Sequence, residues 1–258
     1  MNTLSSIRSC RTSNNKTFTL TNFSLPGSLC FYNTVIESEV DTTNKKVGEY
    51  VNKIWFPYYG TNMISTDQPS SLSTDYGSFI LSDANNYVDY TGNTETFNSG
   101  QGITICFWFK LTSTSGSGSI KFPFRLGLNF GTNLITPEIN YNASGVLTNL
   151  FVYGLNTSGA RFVPNTSLLN TWNHFSIVFN NAAVAQLYVN GSTLFNSTNG
   201  NNTFSSTVNA VGGRMPHNTT HVPQGLITEI RIYKEALSQT RINNIYTWNG
   251  SGTTQPSY

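Results

Sequence analysis

Acidic side chains at alternate positions bring this sequence closest to a catalytic signature. Glu37, Glu39 and Asp41 are two residues apart, so in a strand they would project from one face. Retaining glycoside hydrolases use two such neighbouring carboxylates, one as acid and one as nucleophile. An open strand face on which the three charges are solvated has the same spacing, and we favour this second interpretation.

Two histidines have the only other spacing in the sequence that is typical of a metal-binding or catalytic motif. His217 and His221 are four residues apart in GGRMPHNTTHVPQG, whereas a zinc enzyme needs such a pair on a helix with an intervening Glu and a third ligand. Pro216 and Pro223 disfavour a helix here. We interpret the pair as part of an exposed loop. Neither a nucleophile elbow nor a phosphate-binding loop is present, so we predict that the protein is not an enzyme.

Amides and hydroxyls supply most of the polarity. Asn, Ser and Thr account for 96 of 258 residues, whereas charged residues make up only 10% and the formal net charge is +2. A surface this weakly charged does not neutralise a run of phosphates, which argues against nucleic-acid binding. No apolar run approaches the roughly 18 residues that span a bilayer, so we predict no membrane insertion. The 17 Phe, 13 Tyr and 4 Trp are enough to build a core.

Short apolar or alternating runs separated by Gly, Asn, Ser and Thr predict an all-β protein. Asn190-Gly191 lies between two such runs and favours a two-residue type I′ hairpin. The predicted strands are Leu29–Val40, Tyr50–Phe56, Gly77–Leu81, Tyr87–Thr91, Ile103–Leu111, Lys121–Leu128, Val146–Gly154, Asn173–Phe179, Gln186–Val189, Ser192–Phe195 and Leu226–Tyr233.

One helix is predicted near the carboxyl end. Ser238 can cap it, Ile242, Ile245 and Tyr246 follow at helical spacing, and Gly250 stops it. Many strands with one short helix indicate a two-sheet antiparallel sandwich. We assign residues 29–258 to this domain and residues 1–28 to an arm or an added edge strand.

Three segments, in order, resemble the concanavalin A-like, laminin-G-like jelly-roll family. They are GSFILSDANNYVDY with GITICFWFKL, then TWNHFSIVFNNAAVAQLYVNGSTLF, then QGLITEIRIYKEALSQTRINNIY. The resemblance implies two facing curved sheets, usually non-catalytic, that bind glycans or proteins through one face and its rim loops. It also implies a structural role for His174.

The sequence departs from the family at two functional positions. Glycosidases of this fold carry Glu-x-Asp-x-Glu on a mid-chain strand, whereas the acids here have another order and lie near the amino end. Relatives often hold calcium with an acid near the entry hairpin, for which Asp83 is available, and with the Asp of a Gly-x-Ile-Asp-Glu stretch. That second position is Thr228, followed by Glu229. We therefore expect no structural calcium and no other cofactor.

Aromatic residues in IWFPYYG are the first candidate ligand-binding group. Sugars stack on aromatic rings and hydrogen-bond to amides and charged groups, so Trp55, Tyr58 and Tyr59 are suited to a glycan. We expect Pro57 to break a regular strand there. The alternative interpretation is that the cluster closes one end of the core.

The loop from Gly212 to Gly225 is the second candidate. It has no strand pattern, and it offers Arg214, His217, Asn218 and His221 to a glycan or a neighbouring protein subunit.

These observations lead to one preferred function and two alternatives. The chain is similar to laminin-G-like proteins of large DNA viruses, so we predict a non-catalytic, lectin-like recognition or decoration protein on the virion surface. Its partners would be glycans or capsid proteins, in a multi-copy assembly. The alternatives are a structural minor capsid or fibre subunit and a glycoside hydrolase of the same fold. Extracellular location by an unrecognised export route is the alternative to the virion.

Overall fold

The fold is taken from a computed structural model of the chain. The structure describes residues 9–11, 17–19, 29–33, 35–36, 40–41, 45–49, 54–61, 63–72, 76–82, 87–89, 94–97, 102–119, 121, 123–124, 136–153, 160–180, 185–197, 208–211, 214–215 and 221–248.

Within these ranges the chain forms 22 strands and one helix. The strands are β1 (Ser9–Arg11), β2 (Thr17–Thr19), β3 (Leu29–Asn33), β4 (Val35–Ile36), β5 (Val40–Asp41), β6 (Lys46–Glu49), β7 (Ile54–Tyr59), β8 (Ile64–Ser65), β9 (Tyr76–Leu81), β10 (Tyr87–Asp89), β11 (Thr94–Phe97), β12 (Ile103–Leu111), β13 (Thr136–Tyr141), β14 (Val146–Tyr153), β15 (Ala160–Phe162), β16 (Thr166–Ser167), β17 (Asn173–Phe179), β18 (Gln186–Val189), β19 (Thr193–Asn196), β20 (Val208–Val211), β21 (Arg214–Met215) and β22 (Gly225–Tyr233); the helix is α1 (Gln239–Thr247).

The largest sheet runs in the order β19-β18-β17-β12-β22-β3-β6-β7-β10-β21, and all its pairings are antiparallel. β12, at its centre, pairs with β17 on one edge and β22 on the other. Its odd-numbered side chains, such as Phe107 and Phe109, enter the main core, while Cys106 joins a second apolar cluster on the opposite face. The predicted strand Ile103–Leu111 is thus confirmed, and its two covered faces are typical of a central strand.

A four-stranded sheet of β13, β14, β15 and β16 faces the main sheet. Ile139, Leu150, Val152 and Phe162 from this sheet belong to the same core cluster as Phe107. Two antiparallel sheets enclosing one apolar layer, with one short helix, confirm the predicted sandwich.

Helix α1 covers the outward face of the main sheet. Ser238 Oγ accepts a hydrogen bond from the Arg241 amide at 3.5 Å, which confirms the predicted N-cap. The second apolar cluster lies between the helix and the sheet and includes residues of both. Its members are Leu29, Leu72, Cys106, Val178, Tyr188, Tyr233, Leu237, Ile242, Ile245 and Trp248.

Strand β22 links the two halves of the main sheet. One edge pairs with β12 along its length, while the other pairs with β9 at Gly225–Ile227 and with β3 at Ile230–Tyr233. At the change of partner, Glu229 has a φ of 56° and the register with β12 shifts. This is the geometry of a β-bulge, which bends the strand so that it can serve both partners.

The amino-terminal third differs from the strand prediction. Leu29–Val40 is not one strand: β3 pairs with β22 and β6, β4 pairs with β9, and β5 pairs with β6. β6 was missed, and the strand predicted at Tyr50–Phe56 is displaced to Ile54–Tyr59. The predicted strand Lys121–Leu128 is described only at Lys121, which bridges to β13, and at residues 123–124; its remainder lies outside the described residues.

Pro57 lies inside β7, opposite Lys46, so the prediction that it breaks a strand is wrong. The Tyr58 amide donates to the Lys45 carbonyl at 2.8 Å, on the β6 side. Backbone nitrogens alternate between the two edges of a strand, so the nitrogen of Pro57 faces the β10 side. On that side the pairing with β10 ends at Tyr58. Because no ladder hydrogen bond is needed from Pro57, the ring is tolerated.

The hairpin after β18 also differs in detail. Val189 pairs with Thr193, so three residues form the connection rather than two. Asn190 and Gly191 have φ values of 51° and 78°, the left-handed conformations predicted for this dipeptide. A Cβ placed on Gly191 would lie 2.8 Å from Tyr246 Cδ1, so the hairpin tip packs directly against α1.

Near the amino end, β1 and β2 pair with each other as a two-stranded sheet. Whether residues 1–28 act as an arm or as an added edge strand stays a prediction. In the described part of the chain, no helix is long and apolar enough to cross a membrane.

Candidate functional site

The two regions singled out in the sequence meet on neighbouring strands. β10 pairs with β7 on one edge and with β21 on the other. Tyr87 lies opposite Tyr59, and Asp89 lies opposite Arg214. The segment 212–225, predicted to have no strand, therefore contains the two-residue strand β21. We call the outward face of β7, β10 and β21 the rim face.

The strand alternation separates core from surface on this sheet. Tyr58 and Val88 are opposite each other and belong to the main core, with 8% and 0% exposure. Tyr59 and Tyr87 therefore face outward. Their rings stack with centroids 4.7 Å apart and planes 24° apart, and Tyr59 is 43% exposed. The predicted aromatic group therefore lies partly inside and partly outside the core. The Tyr58 side chain packs in the core, as the alternative interpretation held, and the Tyr59 side chain lies at the surface.

Charged residues occupy positions close to the two tyrosines in the strand register. Asp89 is two residues after Tyr87 on β10, so it shares the outward face, and it is half-buried. Arg214 is its cross-strand neighbour on β21. On the other side, exposed Lys45 donates from Nζ to the Gly60 carbonyl at 3.2 Å. An exposed aromatic ring next to strand positions that carry charged residues is suited to a hydroxylated ligand.

The remaining predicted residues are only partly described. Trp55 lies in β7 opposite Gly48. His221 is half-buried, just before β22. His217 and Asn218 lie outside the described residues, so their assignment stays a prediction. The same holds for Glu37 and Glu39, while Asp41 ends β5.

Trp172 is another partly exposed aromatic ring, but its polar edge is already occupied. Its Nε1 donates to Asp67 Oδ1 at 2.9 Å, and Lys110 Nζ lies 5.4 Å from its ring centroid. Lys110 also forms an ion pair with Asp67, and these donors hold the pKa of that carboxyl below its ordinary value against the opposing effect of desolvation. This group holds the segment after β8 against the sheet.

Beneath α1 lies a covered cluster of residues that elsewhere perform catalysis. Cys106 Sγ and Ser176 Oγ share a hydrogen bond at 3.2 Å, and His174 Nδ1 lies 3.5 Å from Ser176 Oγ. The His174 ring also packs against Trp108 and Tyr246, with centroids at 5.1 and 5.9 Å. The predicted structural role of His174 fits this packing. We call these residues, with Glu229, Arg231 and Trp248, the covered face.

Burial makes the covered face chemically inert. Desolvation, with a smaller contribution from the Arg231 charge, lowers the pKa of His174 to about 3. Burial raises the pKa of the Cys106 thiol to about 11. At neutral pH the imidazole is therefore uncharged and the thiol protonated, so this pair lacks the thiolate needed for nucleophilic catalysis.

An ion pair completes the covered face. Arg231, 1% exposed, donates from Nη2 to Glu229 Oε2. The Arg231 guanidinium also stacks over Trp248, at 4.5 Å from the ring centroid. The guanidinium thus ties the bulge of β22 to the residue that follows α1.

A sequence profile of the concanavalin A-like lectin/glucanases superfamily matches residues 82–243, more than half of the chain. The chain belongs to this family. The match spans the rim-face strand β10 and most of the covered face. No curated protein matches the chain in sequence.

Solved structures confirm the jelly-roll fold of this superfamily member. The binding domain of Paraclostridial Mosquitocidal Protein 1 is similar over 85% of this chain and 52% of its own, at 16% identity and a TM-score of 0.58. The receptor binding domain of botulinum neurotoxin D covers 85% and 52%, at 15% identity and a TM-score of 0.52. The botulinum neurotoxin serotype G binding domain covers 84% and 50%, at 12% identity and a TM-score of 0.53. The chain spans about half the length of these proteins.

The residues at the position where relatives of this family often bind calcium make other contacts in this chain. Thr228 is fully buried, and the Glu229 carboxylate is paired with Arg231. Asp83 lies outside the described residues. The described residues contain no group of three His, Cys, Asp or Glu side chains placed to hold a metal ion. The expectation that the protein needs no calcium stays a prediction.

Two rim-face residues were not identified from the sequence as site residues. Tyr87 and Asp89 were predicted to lie in a strand, but their partners on β7 and β21 come from segments about 30 and 125 residues away. The alternation in Tyr-Val-Asp was the available signal, because it places Tyr87 and Asp89 on one face and an apolar residue on the other.

Proposed function

We propose that this chain is a non-catalytic recognition module that binds glycans through its rim face. The observation that carries the proposal is the exposed Tyr59–Tyr87 stack with Asp89 and Arg214 on the adjoining strands. A sugar ring places its C–H face on an aromatic ring and directs its hydroxyls to charged or amide groups beside it. The fold shared with receptor-binding domains supports a binding role.

We further propose that the module acts in many copies on a virus particle. A single exposed ring pair gives weak binding, and repetition on a surface raises the overall avidity without any further contact. With a formal net charge of +2, long-range attraction contributes little, so binding depends weakly on salt. Detection of the chain at many copies per purified virus particle would support this location. Its absence from purified particles would rule this location out.

The absence of catalysis is part of the proposal. Incubation with β-glucans, galactans and chitin oligomers should release no new reducing ends. Turnover that disappears in Glu37→Gln or Asp41→Asn would assign the chain to the glycoside hydrolases instead.

The rim face is tested by Tyr59→Ala on a glycan array of neutral oligosaccharides. Leu194→Ala is the matched control, because Leu194 is 44% exposed, against 43% for Tyr59, and lies on β19 at the other end of the strand order. Loss of the array signal in Tyr59→Ala alone supports the rim face. Equal signals from the two variants and the wild type would eliminate it.

A structural capsid or fibre subunit is the second candidate function. Leu194 supports it, because this exposed apolar side chain lies on β19, which pairs with β18 alone among the described strands. Such an edge is a surface where another chain can add. Loss of particle assembly in Leu194→Lys, with glycan binding intact, would favour this function.

A further inference from the structure

The stacked tyrosines of the rim face determine which ring face a ligand can use. The centroids of Tyr59 and Tyr87 are 4.7 Å apart, close to the spacing of about 4.8 Å between neighbouring strands. The two rings therefore stack along the direction that runs from β10 to β7. Because Tyr87 covers the Tyr59 face on the β10 side, the 43% exposure of Tyr59 comes from the opposite face and the ring edge. A ligand that stacks on Tyr59 thus lies on the β6 side.

Lys45 lies on this same side of Tyr59. Its carbonyl accepts a hydrogen bond from the Tyr58 amide at 2.8 Å, and its Nζ donates to the Gly60 carbonyl at 3.2 Å. Tyr58 and Gly60 flank Tyr59 in sequence, so the Lys45 side chain extends past Tyr59 along the edge of β7. The ammonium group is therefore held beside the ring face that Tyr87 does not cover.

The contact with Gly60 uses only part of the hydrogen-bonding capacity of Lys45. An ammonium group has three N–H donors, and the Gly60 carbonyl accepts one of them. Lys45 is exposed, so its other two donors can turn to a ligand. Because an ammonium group has donors and no acceptor, it recognises acceptor groups, and its hydrogen bonds to anionic oxygens are the strongest.

The acidic residue of the rim face lies towards the other end of the strands. Asp89 continues β10 towards the level of Pro57, whereas the Lys45 ammonium lies at Gly60. These two levels are three residues apart along β7, which corresponds to about 10 Å. The positive and negative groups are thus separated along the strands. A ligand on Tyr59 can therefore place an anionic group at the Lys45 end without meeting the Asp89 carboxylate.

We propose that the rim face prefers glycans whose stacked sugar unit carries a carboxylate, and that Lys45 sets this preference. The inference rests on the proposed glycan-binding function of the rim face. The C–H face of the sugar lies on the Tyr59 ring, and the carboxylate accepts hydrogen bonds from Lys45 Nζ. One exposed ion pair favours the acidic ligand by about fivefold or less, so neutral glycans still bind. Uronic acids and sialic acids both present such a carboxylate on a pyranose ring.

Paired ligands that differ only in charge test this preference. Isothermal titration compares an oligogalacturonate with its methyl ester and sialyllactose with its methyl ester, which distinguishes uronic from sialic acids as the source of the carboxylate. The wild type should bind the acid of at least one pair about two- to fivefold more tightly than the ester. This ratio should fall at about 1 M salt, where charges are screened within about 3 Å. Lys45→Met should bring the ratio to one without changing the affinity for the ester, and Lys45→Arg should keep it.

The control and the outcomes separate this inference from the proposed function. Arg161→Met removes an exposed cation from β15 of the facing sheet, so it changes the net charge equally and should keep the ratio. A wild-type ratio of one in both pairs, or a ratio that Lys45→Met leaves unchanged, overturns the role of Lys45 alone. In that case, loss of ester binding in Tyr59→Ala still supports the rim face. If Tyr59→Ala binds all four ligands as the wild type does, or if the wild type binds none, the proposed function fails as well.

Discussion

The covered face and the rim face use similar residue types for opposite purposes. Beneath α1, His174, Cys106 and Arg231 are each 1% exposed or less, and Arg231 and Cys106 have polar partners in Glu229 and Ser176. On the rim face, the stacked Tyr59 keeps 43% of its surface exposed. What differs is the covering element, since α1 lies over one face and the described chain leaves the other open.

This contrast shows why residue type alone does not identify a site. A histidine beside a thiol is a stronger catalytic pattern than two tyrosines, yet burial leaves that histidine uncharged and that thiol protonated. Substitutions on the covered face should therefore reduce the free energy of unfolding, and substitutions on the rim face should reduce binding. The following predictions test this division, in order of expected effect on stability.

The largest effect is expected from Arg231→Met. It leaves the buried Glu229 carboxylate without its cationic partner, which should lower the free energy of unfolding by about 3–5 kcal/mol. Urea denaturation measures the loss. The double variant Arg231→Met, Glu229→Gln should recover part of it, and Lys45→Met, which changes an exposed cation, should cost little. If the double variant is less stable than Arg231→Met, the ion pair is not the cause.

The next effect is a dependence of stability on pH that comes from His174. Its pKa is about 3 when folded and about 6.5 when unfolded, so the unfolded chain binds the extra proton between these values. Stability is therefore full above pH 6.5 and falls as the pH is lowered towards 3. Between pH 7.5 and 4.5 the loss from this group is about 2–3 kcal/mol.

His174→Gln should flatten this profile, measured as the free energy of unfolding against pH. His221→Gln, which changes a half-buried histidine outside the covered face, is the control. Equal slopes in His174→Gln and the wild type would show that His174 is protonated to the same extent in both states.

A smaller effect is expected where the β18–β19 hairpin meets α1. Gly191→Ala adds a methyl group 2.8 Å from Tyr246 Cδ1 at a φ of 78°, and should cost about 1–2 kcal/mol. Gly118→Ala is a matched control, because its φ is 77° with nothing within 4 Å of the added atom. Thermal unfolding should place Gly118→Ala between the wild type and Gly191→Ala. The reverse order would mean that the contact between the hairpin and α1 does not contribute to stability.

The smallest stability effect belongs to the rim face. Tyr59→Ala removes a ring that is 43% exposed and stacked on Tyr87, so the free energy of unfolding should fall by about 1 kcal/mol or less. Leu194→Ala, which removes a side chain of similar exposure, should cost no more than this. Chemical denaturation of the two variants side by side checks this. A loss of several kcal/mol would place Tyr59 with the structural residues.

The strands with the strongest local patterns were predicted with the correct bounds. β12, β17 and β18 agree residue for residue, because their apolar runs serve a core on both faces. The N-cap at Ser238 was also predicted, since a cap depends on residues adjacent in sequence. The prediction of one strand at Leu29–Val40 was wrong because β4 pairs with β9, whereas β3 and β5 pair with β6 and β3 also with β22. No local sequence pattern records such a change of partner.

The sites depended even more on long-range register. Tyr59 and Arg214 were chosen separately as an aromatic and a loop residue, and only the pairing of β10 with both strands unites them. The strands β13 and β15 of the facing sheet were not predicted either. Thr136–Tyr141 contains a proline and a glutamate, residues that are unfavourable in strands and lower its apparent propensity.

The position of β22 also governs the order in which the protein can be assembled during synthesis. Ile232 pairs with Phe31, and Ile227 pairs with Phe79, so this strand emerges from the ribosome after the segments it must join. Until β22 has been synthesised, one edge of β12 has no partner strand. Contacts between segments so far apart in sequence form slowly, because the chain between them must first lose conformational entropy. The nascent protein thus exposes apolar strand edges for most of its translation. It should be a substrate for chaperones that bind such edges, and the arrival of β22 ends that dependence.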